Sequence, residues 1–333
     1  MTNNDLLVLK NKEILVTGGC GFIGSEIVKQ LSLIGANVTI IDNLSSGKEK
    51  YIQDLSNVKL ITADLLDDHA IESVVKDKEY VINNAALPFI PDSYFMPKKF
   101  FDVNVNATIS LALAVIKEKK AKRFVHISSS EIYGTARYTP MDENHQTTPQ
   151  STYAVSKLAG ERVVFTMHKE HNLPAVIIRP FNSFGPNITQ PYIIPEIIRQ
   201  MEKNDVIKLG NLNAKRDLTY VTDTARGIIL SLVKEGVIGE VINIGSQRSF
   251  SIRELVSLIS EIMDKKVSVE VDPSRFRPYD VDTLICNYER ATKLLGWKPE
   301  ITVKEGLEKT VEWAKKEKFD IGIPFTERYE MER

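Results

Sequence analysis

Short apolar runs alternate with longer stretches of helical period over the first 180 residues. Residues 13–17 read as a strand, a glycine-rich turn follows, and residues 23–33 carry apolar positions at the period of a helix. Residues 37–42 predict a second strand, where Val38, Ile40 and Ile41 supply β-branched density. Further strands are expected at 58–63, 80–83 and 124–128. Helical period fills several of the gaps, most clearly at 107–119 and 153–171. Leu173-Pro174 then marks a break before a strand at 175–179. This alternation predicts an α/β fold with a Rossmann-type, doubly wound parallel sheet.

Past Arg179 the pattern loosens. Pro180, Pro186, Pro191 and Pro195 fall close together, as a crossing between domains would require. Residues 193–202 read as a helix, and 241–244 as a short strand that returns to the large sheet. Residues 251–263 are amphipathic with Ser251 as cap, 267–271 alternate as a strand, and 303–316 form the last clear helix. The charged tail after Lys318 is expected to be peripheral.

Composition narrows the classes. The 333 residues are 43% hydrophobic and 26% charged, an ordinary globular balance. A net charge of −1 gives no global field toward nucleic acid or an anionic membrane, so neither is expected as a partner. Cys20 and Cys286 cannot build a disulfide framework and sit in no metal-binding spacing, which points to a reducing, cytoplasmic setting and no metal. No apolar run reaches the roughly 20 residues of a membrane span, and residues 1–12 read as a lead-in to the first strand and not as a signal peptide.

The turn after the first strand reads Thr17-Gly18-Gly19-Cys20-Gly21-Phe22-Ile23-Gly24. Gly19, Gly21 and Gly24 fit a dinucleotide fingerprint, and Gly18, Gly21 and Gly24 fit its short-chain variant. Glycines let the backbone approach a pyrophosphate, and the helix starting near Phe22 and Ile23 aims its first amides at it. Asp42 ends the second strand about 20 residues on, where a carboxylate accepts from the adenosine ribose and repels a 2′-phosphate, so NAD is favoured over NADP. Asp64-Leu65 can hold the adenine amino group, although Asp64 could equally cap the next helix. Ala85 and Ala86, after Asn83-Asn84, keep the fourth strand's end small enough for close approach.

Tyr153 and Lys157 are spaced i, i+4, so a helix stacks them on one face. A phenol with a pKa of about 10 is a poor base at neutral pH. A nearby ammonium and a positive nicotinamide are expected to lower that value, so that the group takes a proton while hydride leaves the carbon. Tyr94 and Lys98 share the spacing, but Pro97 between them disfavours an uninterrupted helix.

These residues resemble the extended short-chain dehydrogenase/reductase family, and within it the NAD-dependent nucleotide-sugar epimerases and dehydratases. The similarity runs from Ile14 to about Trp313. Its landmarks are the glycine loop, Asp42-Asn43, Asn104-Val105, Ser128-Ser129, Tyr153 with Lys157, Arg179-Pro180-Phe181-Asn182, Arg216-Asp217, Tyr220-Val221 with Asp223, Asn243-Ile244-Gly245, Arg277-Pro278 and Leu295-Gly296-Trp297. The resemblance implies that Asn43 and Asn104 join the cofactor set and that Ser129 hydrogen-bonds the sugar O4 beside Tyr153. It implies that Asn182 binds the substrate pyrophosphate with Arg216 and Arg277, and that Lys157 holds the nicotinamide ribose. It further implies an NAD-binding domain over 1–180, with returning segments near 217–249. A smaller α/β nucleotide-sugar domain is implied over 181–333, and a homodimer through helices near 100–119 and 152–171.

Several reactions of the family begin alike, with Tyr153 taking the O4 proton. A 4,6-dehydratase must then remove the C5 proton and expel the C6 hydroxyl, which calls for a carboxylate base. Glu131 is the candidate, two residues past Ser129 in Ser129-Ser130-Glu131. The run resembles the Thr-Ser-Glu type of dehydratase, with Ser130 at the substrate in place of an Asp that protonates the leaving group. Ala85-Ala86-Leu87-Pro88-Phe89-Ile90-Pro91-Asp92-Ser93-Tyr94 and Pro191-Tyr192-Ile193-Ile194-Pro195 resemble dehydratases of UDP-N-acetylglucosamine in the legionaminic-acid pathway. A UDP-sugar 4-epimerase and a UDP-glucuronate decarboxylase stay open as alternatives. A dinucleotide-binding sensor is the non-enzyme alternative, though it need not keep Ser129, Tyr153 and Lys157.

Overall fold

The computed structural model describes residues 5–317, so the charged tail lies outside the described residues. Six of the expected parallel strands are β1 (Glu13–Thr17), β2 (Asn37–Asp42), β3 (Val58–Thr62), β4 (Tyr80–Asn83), β5 (Arg123–Ile127) and β6 (Ala175–Pro180). Between and after them come α1 (Phe22–Ile34), α2 (Asp68–Val75), α3 (Ile90–Phe95), α4 (Pro97–Phe101), α5 (Ala107–Glu118) and α6 (Thr152–His171). The inner strands β1, β4 and β5 are buried because helices cover both faces of the sheet, while β3 at its edge is partly exposed. The seventh strand arrives late in the chain.

The remaining elements are β7 (Asn182–Phe184), α7 (Ile193–Lys203), β8 (Val206–Leu209), β9 (Lys215–Tyr220), α8 (Val221–Val233), β10 (Val241–Ile244), β11 (Ser249–Ser251), α9 (Ile252–Met263), β12 (Ser268–Val271), β13 (Thr283–Leu284), α10 (Glu289–Leu295) and α11 (Val303–Glu317). The large sheet runs β10-β6-β5-β4-β1-β2-β3, and β10 joins it parallel to β6. The chain winds outward from β1 in one direction and from β4 in the other. A crevice therefore opens at the C-terminal ends of these two neighbours.

Two of the apolar cores mark the two halves of the molecule, and a third packs α2, α5 and α6 on the other face of the large sheet. The first gathers β1, β2, α1 and α8, and also takes in Ala291, Leu295 and Trp297. The return to the large sheet is thus longer than 217–249. The second core lies between α7, α9 and α11 and the strands β8 and β9. Two buried acids staple the halves together. Asp217 accepts from the amides of Ser246, Gln247 and Cys286 at 2.7, 2.7 and 3.0 Å. Asp223 accepts from those of Glu300 and Ile301 at 2.8 and 2.9 Å.

The helix after β4 breaks at Met96, with Pro97 in the first turn of α4, where its missing N–H is no loss. A π-helical turn over Asp102–Asn106 then carries α4 into α5. The stretch Pro97–Glu118 is long and apolar enough to cross a membrane by length and composition, which differs from the expectation above. Half of its apolar window is buried, and α5 packs against α2 and α6 as a core helix does. Both cysteines are buried and free.

Candidate active site

The crevice holds a cleft of about 520 Å³ whose wall includes most of the cofactor and substrate residues singled out above, but not Gly19, Gly24 or Asn104. On one side Thr17 locks β1 to β4. Its hydroxyl donates to Asn83 Oδ1 at 3.1 Å and accepts from the amides of Asn84 and Ala85 at 3.1 and 3.0 Å. Gly18 has φ +65°, and a Cβ there would stand 2.8 Å from Ala85 Cα. Gly24 lies behind the loop, where a Cβ would come 2.0 Å from the Gly18 carbonyl oxygen. The first turn of α1 begins at Phe22 after Gly21, which has no side chain to cap it, so those amides are free for an anion.

Asp42 accepts from the Cys20 amide at 2.9 Å and the Leu44 amide at 2.8 Å, tying the end of β2 to the glycine loop. Asn43 donates to Asp64 Oδ2 at 2.9 Å, and Asp64 also accepts from the Leu66 amide. Asp42, Asn43, Asp64 and Leu65 form one rim, with Ser45 and Ser46 beside them, which the sequence did not single out. Asn104 is placed differently from its expected role. Its side chain accepts from the Leu87 amide at 2.9 Å and donates to Ser156 Oγ at 2.9 Å. It is buried behind the cleft and orients the loop after β4.

Past β5 the chain turns through a short 3₁₀ helix, Ser130–Tyr133, capped by Ser129, whose Oγ accepts from the Glu131 amide at 3.2 Å. Ser129, Ser130 and Glu131 are buried, yet all three line the cleft. Among the described residues no hydrogen bond or ion pair engages the Glu131 carboxylate. Tyr153 and Lys157 reach the same floor from α6, which is capped by Ser151. Burial pushes the Tyr153 phenol up to about 12, against the downward shift expected from sequence, with Ser129 acting to lower it and Glu131 to raise it. Burial likewise drives Lys157 down to about 8. Its Nζ donates to the Ile127 carbonyl at 2.5 Å. One of the three ammonium protons is thereby held by the backbone.

Behind this floor Arg179 forks onto Glu161, at 2.6 and 2.9 Å, and donates to Tyr133 Oη at 2.7 Å. Glu161 also accepts from Ser128 Oγ at 2.7 Å. This buried network fixes the end of β5 and the start of the Ser129 turn.

The opposite wall comes from the second half. β7 and β9 pair parallel, with Asn182 opposite Leu218, so Asn182 and Arg216 lie on adjacent strands. Asn182 Oδ1 is buried with no partner among the described residues. Arg216 and Arg277 converge on Asp280, at 3.2 and 3.4 Å. Asp280 is a residue the sequence did not single out. Tyr192 and the apolar chain of Ile188, Ile193 and Ile194 close this side.

The glycine cradle, the uncapped helix start and Asp42 fit NAD, and the second wall offers paired arginines for a diphosphate. The family model described as GDP-mannose 4,6 dehydratase matches residues 15–310. The chain belongs to the extended short-chain dehydrogenase/reductase family of nucleotide-sugar epimerases and dehydratases. Among its relatives, the human dTDP-D-glucose 4,6-dehydratase is 30% identical over 316 residues, covering 91% of this chain and 89% of that protein. An epimerase structure from Methanothermobacter thermautotrophicus superposes with TM-score 0.89 at 31% identity, covering 94% and 95% of the two chains. The UDP-glucuronic acid 4-epimerase of Bacillus cereus, solved with UDP-glucuronic acid and NAD, gives TM-score 0.85 at 29% identity over 91% and 99%. As a member of this NAD-dependent family the protein is an enzyme on a Rossmann fold. Its relatives include epimerases, dehydratases and a decarboxylase, with epimerases the more numerous.

Proposed function

We propose that the protein is an NAD-dependent nucleotide-sugar 4,6-dehydratase that acts on UDP-N-acetylglucosamine and forms its 4-keto-6-deoxy product. The observation that carries this reading is Glu131, a buried carboxylate lining the cleft beside Ser129 and Tyr153 without a partner among the described residues. An epimerase needs room for the sugar to turn but no such base. The resemblance of the loop 85–94 and the segment 191–195 to legionaminic-type dehydratases supports the choice of sugar.

Bound NAD supplies the hydride acceptor and donor at the floor of the cleft. Its positive ring would favour the ionised form of Tyr153, against the upward push of burial. Tyr153 removes the O4 proton, with Ser129 holding O4. Glu131 takes the C5 proton, made acidic by the neighbouring ketone, exchanges it with solvent and protonates C5 after water is lost. Arg216, Arg277 and Asn182 hold the diphosphate, and the fork geometry of each guanidinium suits phosphate oxygens. A homodimer through α5 and α6 is supported by Leu113 and Val155, apolar and exposed on those helices.

The second reading, a UDP-sugar 4-epimerase, is favoured by the names of many relatives. Proton NMR of the enzyme with UDP-N-acetylglucosamine in deuterated water separates the two. The dehydratase gives a C6 methyl signal and deuterium at C5, while an epimerase gives the C4 epimer with C5 protium kept. Glu131→Gln should cut methyl formation by about 100-fold. Full activity in that variant would remove the base from the mechanism.

A further inference from the structure

The dehydratase reading leaves the departing C6 hydroxyl without an acid. When the C5–H electrons form the C5=C6 bond and the C6–O bond breaks, hydroxide is a poor leaving group unless protonated. Ser130 offers only an alcohol; Glu131, once it holds the C5 proton, and a water are the other candidates for the acid. Tyr192 stands across the cleft from these residues. Its backbone is fixed at the start of α7, where its N–H donates to the Gln190 carbonyl at 2.8 Å and its carbonyl accepts from the Glu196 amide at 3.0 Å. Its ring meets Phe89 edge-on at 5.9 Å, and it lines the same cavity as Ser129, Glu131 and Tyr153. The ionisable groups that act on its hydroxyl are Tyr153, Arg277, Asp92 and Glu131. No hydrogen bond among the described residues engages that hydroxyl.

We propose that Tyr192 is the proton donor to the departing C6 hydroxyl, and that Tyr153 then restores its proton. The proposal rests on the 4,6-dehydratase reading. The count closes with one exchange against solvent, at Glu131. Tyr153 takes the O4 proton, Tyr192 gives its own to O6 as water leaves, and the Tyr192 phenolate recovers a proton from Tyr153. Glu131 takes the C5 proton, exchanges it with solvent and gives one back to C5, so one water is lost and every side chain ends as it began. Burial raises the Tyr192 phenol above its ordinary range, so its proton must pass to O6 as the C6–O bond breaks.

The experiment compares wild type with Tyr192→Phe, both with NAD bound, on UDP-N-acetylglucosamine in deuterated water. Methyl formation by the variant should fall about 100-fold or more. Its recovered substrate should gain deuterium at C5, and reduced-nicotinamide absorbance should build up, because the steps before elimination are intact. Methyl formation within about threefold of wild type would overturn the proposal. So would joint loss of product and C5 exchange, which would make Tyr192 part of the pocket wall only. Absence of any methyl product from wild type would instead overturn the dehydratase reading, and that arm is read first.

Discussion

The two walls of the cleft are made of different material. On the cofactor side the binding groups are mostly backbone, and the sequence there is conspicuous for what it leaves out, since Gly18 and Gly24 sit where a Cβ would strike a neighbour. On the proposed substrate side the lining groups are side chains, Asn182, Tyr192, Arg216 and Arg277, brought in by separate elements. A site made of backbone can be shared by many enzymes, because side-chain drift barely touches it. A site made of side chains on pieced-together strands changes its ligand with one substitution. Substrate choice therefore belongs to the second wall, and the reaction to the floor between them.

The floor gives the largest expected effect. Tyr153→Phe removes the hydroxyl that takes the O4 proton and keeps the ring that packs on Phe100 at 6.3 Å. Turnover should fall by about 1000-fold, while calorimetric titration should find NAD affinity unchanged. Unchanged product formation would remove Tyr153 from the chemistry and revive the sensor reading.

Gly24→Ala tests the backbone wall. The added Cβ meets the Gly18 carbonyl oxygen at 2.0 Å, backbone against backbone, so the loop must move. NAD affinity should drop about 100-fold, and thermal unfolding should show whether the fold also weakens. Wild-type affinity would mean that the loop tolerates displacement and that the cradle is not its function.

Arg277→Ala tests the other wall and should have a smaller, cleanly separated effect. Removing one charge-assisted contact to a diphosphate costs about 1.5–3 kcal/mol. KM for the nucleotide sugar should rise roughly 10- to 100-fold with kcat little changed and NAD affinity intact. A drop in kcat at constant KM would place Arg277 at the reacting centre. Arg216 keeps its pair with Asp280 in this variant, so the second wall should not collapse.

The same contrast decided what could be read from the chain. The large sheet was legible because its strands and helices are local patterns with sharp punctuation. β1, β2, β4 and β10 fall on the expected residues, and Ser251 caps α9 with a full capping box. The glycine loop was legible because a missing Cβ is itself a sequence signal. α8 was not, since Val221–Val233 is rich in β-branched residues and has no side-chain cap. Neither were β9 and β13, short strands stabilised by distant partners and by Asp217. Asn104 shows the limit of carrying a role from a motif. The residue is where the pattern expects it, but its amide is engaged by Leu87 and Ser156. Asp280 had no signal of its own, because its meaning comes only from the two arginines that meet it.

Lys157 supplies the finest test, since it belongs to the floor and yet is read through stability. Burial lowers its pKa from 10.5 to about 8, with Glu161 acting the other way. Between those values the unfolded chain binds a proton that the folded chain does not. Stability must therefore rise with pH across that window, and the burial penalty is fully present below about pH 8. Lys157→Met has no such group. The unfolding free energy of wild type relative to this variant should climb as pH goes from about 8 toward 10.5, measured by denaturant melts at each pH. Other titrating groups largely cancel in the difference. A flat difference would mean that water reaches the ammonium, and then Lys157 would be free to act on Tyr153 without help from the charge of the cofactor.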